Sequence, residues 1–145
     1  MDPRPYEFPT VMTGTQTVQL RHEEPEGGWH IDWMLSRGEG SLLVTIRLED
    51  RLEHLETGSS TTGTFLGDHR RRYLVYEGPL SDGRGEVSRV ATGCLLDWAC
   101  HGDEWWITVQ WKGGKSQRLR LELKDGEPSR GSTCEIHYLE SSAEG

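Results

Sequence analysis

The sequence predicts a mostly β protein, a small closed or partly open antiparallel β-barrel with one or two short helices. Three observations point there. Glycine is frequent, at 18 of 145 residues, which calls for many turns. Apolar residues make up 33% of the chain and recur with a period of two in several stretches, the spacing of a wall with one buried face. Long runs of 3.6-residue periodicity, the mark of helices, are scarce.

The elements follow in order. Residues 1–14 hold three of the six prolines and read as an irregular arm. Thr15 to His22 is the first predicted strand, with Val18, Leu20 and His22 on one parity. Glu24-Pro25-Glu26-Gly27-Gly28 has the composition of a tight reversal. Trp29 to Ser36 is the second strand, with His30, Asp32 and Met34 facing one way and Ile31, Trp33 and Leu35 the other. After a turn at Arg37 to Gly40, Ser41 to Leu48 is the third.

Glu49 to Glu56 is expected to form a short helix, because Leu48, Leu52 and Leu55 recur at helical spacing. Gly58 to Gly67, rich in Ser, Thr and Gly, reads as a mobile loop. Tyr73 to Pro79 reads as a strand ending in a turn, and Glu86 to Cys100 as two short strands about Thr92-Gly93. The clearest hairpin comes next: Trp105, Ile107, Val109 and Trp111 alternate with Trp106, Thr108 and Gln110, Gly113-Gly114 turns the chain, and Leu119, Leu121 and Leu123 return. One domain over residues 15–124 results, followed by an extension, 125–145, in which Cys134 to Leu139 offers a last strand.

The formal net charge is −8, which disfavours a nucleic-acid partner on electrostatic grounds. Its distribution softens that objection. Residues 69–120 carry 9 basic and 6 acidic side chains, against 5 and 12 in residues 1–68. No apolar run reaches the roughly 20 residues that cross a bilayer, and a cytoplasmic protein without a membrane partner is expected. Three cysteines, Cys94, Cys100 and Cys134, lack paired spacing and fit a reducing compartment. A zinc site built from them with His101 and His137 would lack any Cys-x-x-Cys.

Two stretches carry chemistry. On a strand, His30 and Asp32 project from the same face, and a reversal at 24–28 can fold His22 back toward them. Two imidazoles and a carboxylate make a three-point site for a borderline divalent ion such as Mn, Fe or Zn. The plainer alternative is a histidine and an aspartate satisfied by each other's hydrogen bond. The second stretch, Asp68-His69-Arg70-Arg71-Arg72, suits a phosphate clamp, since guanidinium forks match phosphate oxygens and an imidazole can donate a proton; the alternative is a solvated charge run. Ser81-Asp82-Gly83-Arg84-Gly85 adds a glycine turn that lets backbone approach an anion.

With His22, then His30-Ile31-Asp32, then Asp68-His69 and Tyr76-Glu77-Gly78 in that order, the chain resembles the 3′-phosphoesterase domain of the ATP-dependent DNA ligase D family, in its stand-alone form. The resemblance covers about Thr15 to Lys124. It implies a compact barrel whose mouth holds a Mn2+-type ion on His22, His30 and Asp32, with zinc or another divalent metal as alternatives. These three and His69 would be the catalytic residues, His69 binding phosphate or donating a proton. The activity implied is removal of a 3′-phosphate or 3′-ribonucleoside from DNA or RNA ends in repair. The partners implied are the 3′ ends of DNA or an RNA/DNA primer-template, and a separate DNA ligase or polymerase. The chain departs from the family where Met34 stands in place of a phosphate-binding arginine and Ser36 in place of a glutamate. Arg71 or Arg84 is expected to supply the missing phosphate contact. Two rivals remain: a cupin-like non-haem iron enzyme using His101 or His137 with the His-x-Asp pair, and a catalytically degenerate module that binds nucleic-acid ends.

Overall fold

Eight antiparallel strands close into a barrel in the computed structural model, which describes residues 6–7, 15–38 and 40–141. The strands are β1 (Tyr6–Glu7), β2 (Gln16–Glu23), β3 (Trp29–Ser36), β4 (Leu43–Leu48), β5 (Ser60–Phe65), β6 (Gly78–Pro79), β7 (Glu86–His101), β8 (Glu104–Trp111), β9 (Ser116–Leu123) and β10 (Thr133–Ser141). Around the wall the order is β7-β2-β3-β4-β5-β10-β9-β8, and β8 pairs again with β7. The short β1 and β6 attach to β7. Among the described residues helical structure is confined to three 3-10 turns, and no helix is long and apolar enough to cross a membrane.

Period-two alternation sorts side chains to the two sides of this wall. Ile31, Trp33 and Leu35 point inward with Val44, Ile46, Ile107, Trp111, Leu121, Ile136 and Tyr138 to fill the lumen. The opposite parity, Val18, Leu20, Met34 and Leu43, faces outward and is buried with Val87 of β7 beneath Tyr73 and Leu74. The barrel therefore has two apolar layers on its β2–β3 side.

Several local expectations need correcting. Tyr73 to Pro79 is not a strand: Arg71–Leu74 forms a 3-10 turn, and only Gly78–Pro79 pairs. Tyr73 and Leu74 are both buried against the outer face, and neighbouring residues on one face are what a period-two strand cannot supply. The expected helix at 49–56 shrinks to a 3-10 turn at Leu52–His54. Leu52 enters the lumen, with its N–H bound to Gln19 and its carbonyl to Gln117.

The Ser/Thr/Gly stretch is not a loop but β5, placed between β4 and β10. Its glycine has a steric cause, since a Cβ on Gly63 would lie 2.6 Å from Ile46 Cγ2. Glu86 to Cys100 is one long strand whose pairing slips at two bulges, where it passes from β2 to β8. The last strand lies in the wall between β5 and β9, so the barrel extends past Lys124. The expectation of an irregular arm over 1–14 lies outside the described residues, apart from Tyr6–Glu7.

Candidate metal centre

The β2–β3 hairpin builds the site. Its reversal is closed by Glu24 N–H to the Gly28 carbonyl at 2.8 Å and Gly27 N–H to the Glu24 carbonyl at 3.0 Å. This sets His22 directly opposite His30 in the register, with Asp32 two residues further along the same face. Donor atoms of His22, His30 and Asp32 all lie within 4.8 Å of one another, the one such group among the described residues. The site sits on the outer face of the wall rather than at the barrel mouth, because the inward parity is taken by Ile31 and Trp33.

The protons can be placed from the partners. His22 Nε2 lies 2.8 Å from the backbone carbonyl of Arg84, which can only accept, so that nitrogen carries the hydrogen. His30 Nδ1 lies 3.1 Å from Glu24 Oε2, a carboxylate that likewise accepts. In the neutral rings, the inner nitrogens, His22 Nδ1 and His30 Nε2, are therefore bare lone pairs. They lie 3.6 Å from Asp32 Oδ2 and 2.9 Å from Oδ1. Oδ1 is buried and makes no hydrogen bond of good direction despite that short approach. Two bare nitrogens and an unsatisfied carboxylate oxygen converging on one spot are a set of acceptors without a donor, which a cation satisfies. Outer ring nitrogens held by a carboxylate and a carbonyl are the usual support of metal-binding histidines.

Protons compete for the same atoms. The Asp32 contact raises the His22 pKa above its usual value; burial opposes it and the Arg84 carbonyl adds to it. For Asp32, burial pushes the carboxyl up, but the two imidazoles outweigh it and hold it below the usual range.

Arg84 reaches His22 because of the glycine after it. Gly85 has φ +96°, and a Cβ there would lie 1.9 Å from the Glu23 carbonyl oxygen. The glycine turn thus permits a close backbone approach to β2, which the sequence assigned to an anion. The Arg84 side chain bonds Ser81 through Nε at 2.9 Å and Nη2 at 3.0 Å, and it lines a cleft with Arg70, Arg72, Tyr73 and Tyr76. Arg72 stacks over Tyr76 at 4.4 Å.

The other expected residues are distributed as follows. Arg71 is not on that cleft; its Nη1 donates to Ser36 Oγ at 2.9 Å and the Gly38 carbonyl at 2.8 Å, anchoring the β3–β4 turn. His69 stands apart from the three donors. Its backbone pairs with Leu43, opposite Ser36, four positions along β3 from Asp32. Its ring contacts the Gly67 carbonyl at 2.7 Å and the Tyr73 ring at 5.7 Å, so it joins the same outer face through Tyr73.

Met34, which stands where the ligase D phosphoesterases that the sequence resembles have arginine, is 1% exposed in the outer-face cluster. His137 lies beside Glu122 on the β9–β10 wall and His101 at the end of β7; neither joins His30 and Asp32. The cysteines are dispersed likewise, Cys94 exposed and Cys100 and Cys134 buried as free thiols. Burial raises the Cys134 thiol to about 12.

Sequence reasoning missed the part of Glu24, and it named Arg70 and Arg72 only within the phosphate-clamp run, singling out Arg71 instead. The arginines were visible as a run, but their facing was not. Glu24 was read only as part of a turn. No protein-family model matches the chain, and no curated protein matches it at a significant level.

Proposed function

We propose that the chain is a metal-dependent phosphoesterase that removes a 3′-phosphate or 3′-ribonucleoside from DNA or RNA ends. One observation carries the reading: both imidazoles give their outer N–H to fixed acceptors, so their inner lone pairs converge with the unsatisfied Asp32 oxygen. That donor set fits a borderline divalent ion, and Mn2+ is the one favoured by the resemblance to the ligase D phosphoesterases. His22, His30 and Asp32 would hold it, and once bound it supplies Lewis acidity toward a phosphoryl oxygen.

The protein's own groups supply the rest. Arg84 links the two halves of the site, since its carbonyl orients His22 while its guanidinium lines the arginine cleft. Arg70, Arg72 and Arg84 are the phosphate contacts in this reading, with Arg84 retained from the sequence expectation and Arg70 and Arg72 taking the place of Arg71. Tyr76, already stacked by Arg72, offers an aromatic surface to a terminal base. The resemblance makes His69 the proton donor to the leaving oxygen, and in this fold it stands apart from the metal donors and reaches the cleft only through its edge contact with Tyr73. Removal of a 3′-phosphate leaves a 3′-hydroxyl, and removal of a 3′-ribonucleoside leaves a 3′-phosphate that a second hydrolysis converts to one; that hydroxyl is the end that a ligase or polymerase requires, which makes such an enzyme the natural partner.

The buried Met34 favours a second reading, a module that binds metal and nucleic-acid ends without turnover. A Mn-dependent assay on a labelled primer-template bearing a 3′-phosphate or a 3′-ribonucleotide separates the two. The expected result is product with Mn2+, reduced by about 100-fold or more in His30→Ala and Asp32→Asn. An inert wild type that still binds Mn2+ and the primer end establishes the module instead.

A further inference from the structure

Arg47 stands on β4 in register opposite Asp32, with Thr64 of β5 on its other side. Alternation turns it outward, since Ile46 and Leu48 beside it belong to the interior cluster. Leu43 and Thr45, the outward residues that precede it on β4, are both buried, Leu43 in the cluster with Tyr73 and Leu74. The Arg47 side chain is 50% exposed. The cover over the outer face thus stops short of Arg47, which forms the free lip of the candidate metal centre on its β4 side.

Its guanidinium is loosely held. Among the described residues its ion partner is Glu24, with Nη2 3.8 Å from Oε2, beyond the roughly 2.7–3.2 Å of an N–H···O hydrogen bond. An exposed pair of that length is weak. The same Oε2 lies 3.1 Å from His30 Nδ1, so Glu24 keeps a partner when Arg47 moves away. The other arginines of this side are committed: Arg84 bonds Ser81 through Nε and Nη2, and Arg71 bonds Ser36 and the Gly38 carbonyl. Arg47 makes no side-chain hydrogen bond among the described residues, and its donor fork stays open for an anion.

Its position decides which anion. The strand order β7-β2-β3-β4 sets Arg47 on one side of the three donors and the Arg84 carbonyl, bound to His22 on β2, on the other. A nucleic-acid end lying in the arginine cleft, with its last phosphorus at the donors, therefore points its terminal oxygens toward β4. Charge sharpens the requirement. Asp32 and Glu24 together cancel the two charges of a divalent ion held there, so the second charge of a phosphomonoester has to be met by a side chain.

We propose that Arg47 is a specificity-determining residue of this site, leaving Glu24 to bind the terminal oxygens of a doubly charged phosphomonoester. It thereby favours a 3′-phosphate over a 3′-ribonucleoside, whose diester phosphate carries a single charge. The proposal rests on the phosphoesterase reading and adds an order of preference between its two substrates.

Methylphosphonate, a phosphoryl dianion without a hydrolysable ester, and its singly charged monomethyl ester are the probes. Each is titrated by calorimetry into the Mn2+-loaded full chain at a pH where methylphosphonate is doubly charged. The expected result is tighter binding of methylphosphonate than of the ester by wild type. Arg47→Ala should weaken methylphosphonate about tenfold or more and the ester little, with Arg47→Lys in between and Mn2+ affinity alike in all three chains. Replacing a half-exposed side chain leaves the lumen intact, and equal Mn2+ affinity verifies the site. A preference for the dianion that survives in Arg47→Ala would overturn the proposal. So would a loss of Mn2+ affinity in that variant, which would make Arg47 a support of Glu24 instead. Turnover is not read, so an Arg47-dependent preference in a chain inert on the primer-template sinks the phosphoesterase reading and leaves the anion contact standing. A chain that takes up no Mn2+ removes both.

Discussion

Glu24 is the residue on which the candidate metal centre turns, although none of its atoms is among the three converging donors. Its carboxylate fixes the His30 tautomer from 3.1 Å and is itself approached by Arg47 at 3.8 Å. Glu24→Gln keeps the shape but loses the preference for a donor on Nδ1. Mn2+ affinity should fall about 10- to 100-fold with the melting temperature nearly unchanged, as read by calorimetry and by thermal unfolding without metal. Protonation gives a second test. The pKa of His22 is raised above its ordinary 6.5, so in the metal-free protein its contribution to stability is fully present below that value and lost as pH rises through the folded pKa. Asp32 is depressed, so its contribution is present above the ordinary carboxyl range and lost as pH falls through the lowered value. Metal binding needs His22 neutral. Apparent Mn2+ affinity should therefore weaken as pH drops through the raised His22 pKa, with a proton released on binding; a flat profile there would exclude His22 as a ligand.

At the scale of elements, the β2–β3 hairpin was legible because its pattern is redundant. Alternation fixed which residues share a face, and the reversal between them fixed His22 opposite His30. The segment from 69 to 85 was not legible, because it is shaped by what it covers. Arg70, Arg71 and Arg72 are consecutive, and only the 3-10 turn over Met34 and Leu43 decides that two line the cleft while the middle one binds the β3–β4 turn. The β5 stretch misled for a related reason, since Ser, Thr and Gly resemble a loop until Ile46 is seen against Gly63. Gly85 tests the packing of the covering segment on the hairpin. In Gly85→Ala the new methyl group must push the 84–85 backbone off the Glu23 carbonyl, withdrawing the Arg84 carbonyl from His22. Mn2+ binding should weaken about tenfold or more, although no donor has been touched. A variant that binds as tightly as wild type would show that the carbonyl does not orient the ring.

For the whole molecule, the fold class was readable from composition and alternation, whereas the two-layer burial of the β2–β3 side was not, since the covering residues are distant in sequence. Electrostatics at this scale are also mixed. The total of −8 repels long polyanions, while three arginines line one cleft. Affinity for a short 3′-phosphorylated strand should fall with log salt at a slope of roughly −2 to −3, the count expected from three phosphate contacts. A slope near zero, measured by fluorescence anisotropy, would remove those arginines from the interface.

β10 lies between β5 and β9 although it is the last strand in the chain. During synthesis every other strand of the wall emerges first, and until Thr133–Ser141 leaves the ribosome both β5 and β9 present bare edges. The nascent chain thus passes through a stage with two adhesive strand borders, and a stop codon shortly after Lys124 would make that stage permanent. A shortened product of this kind is a sticky open sheet rather than a smaller barrel.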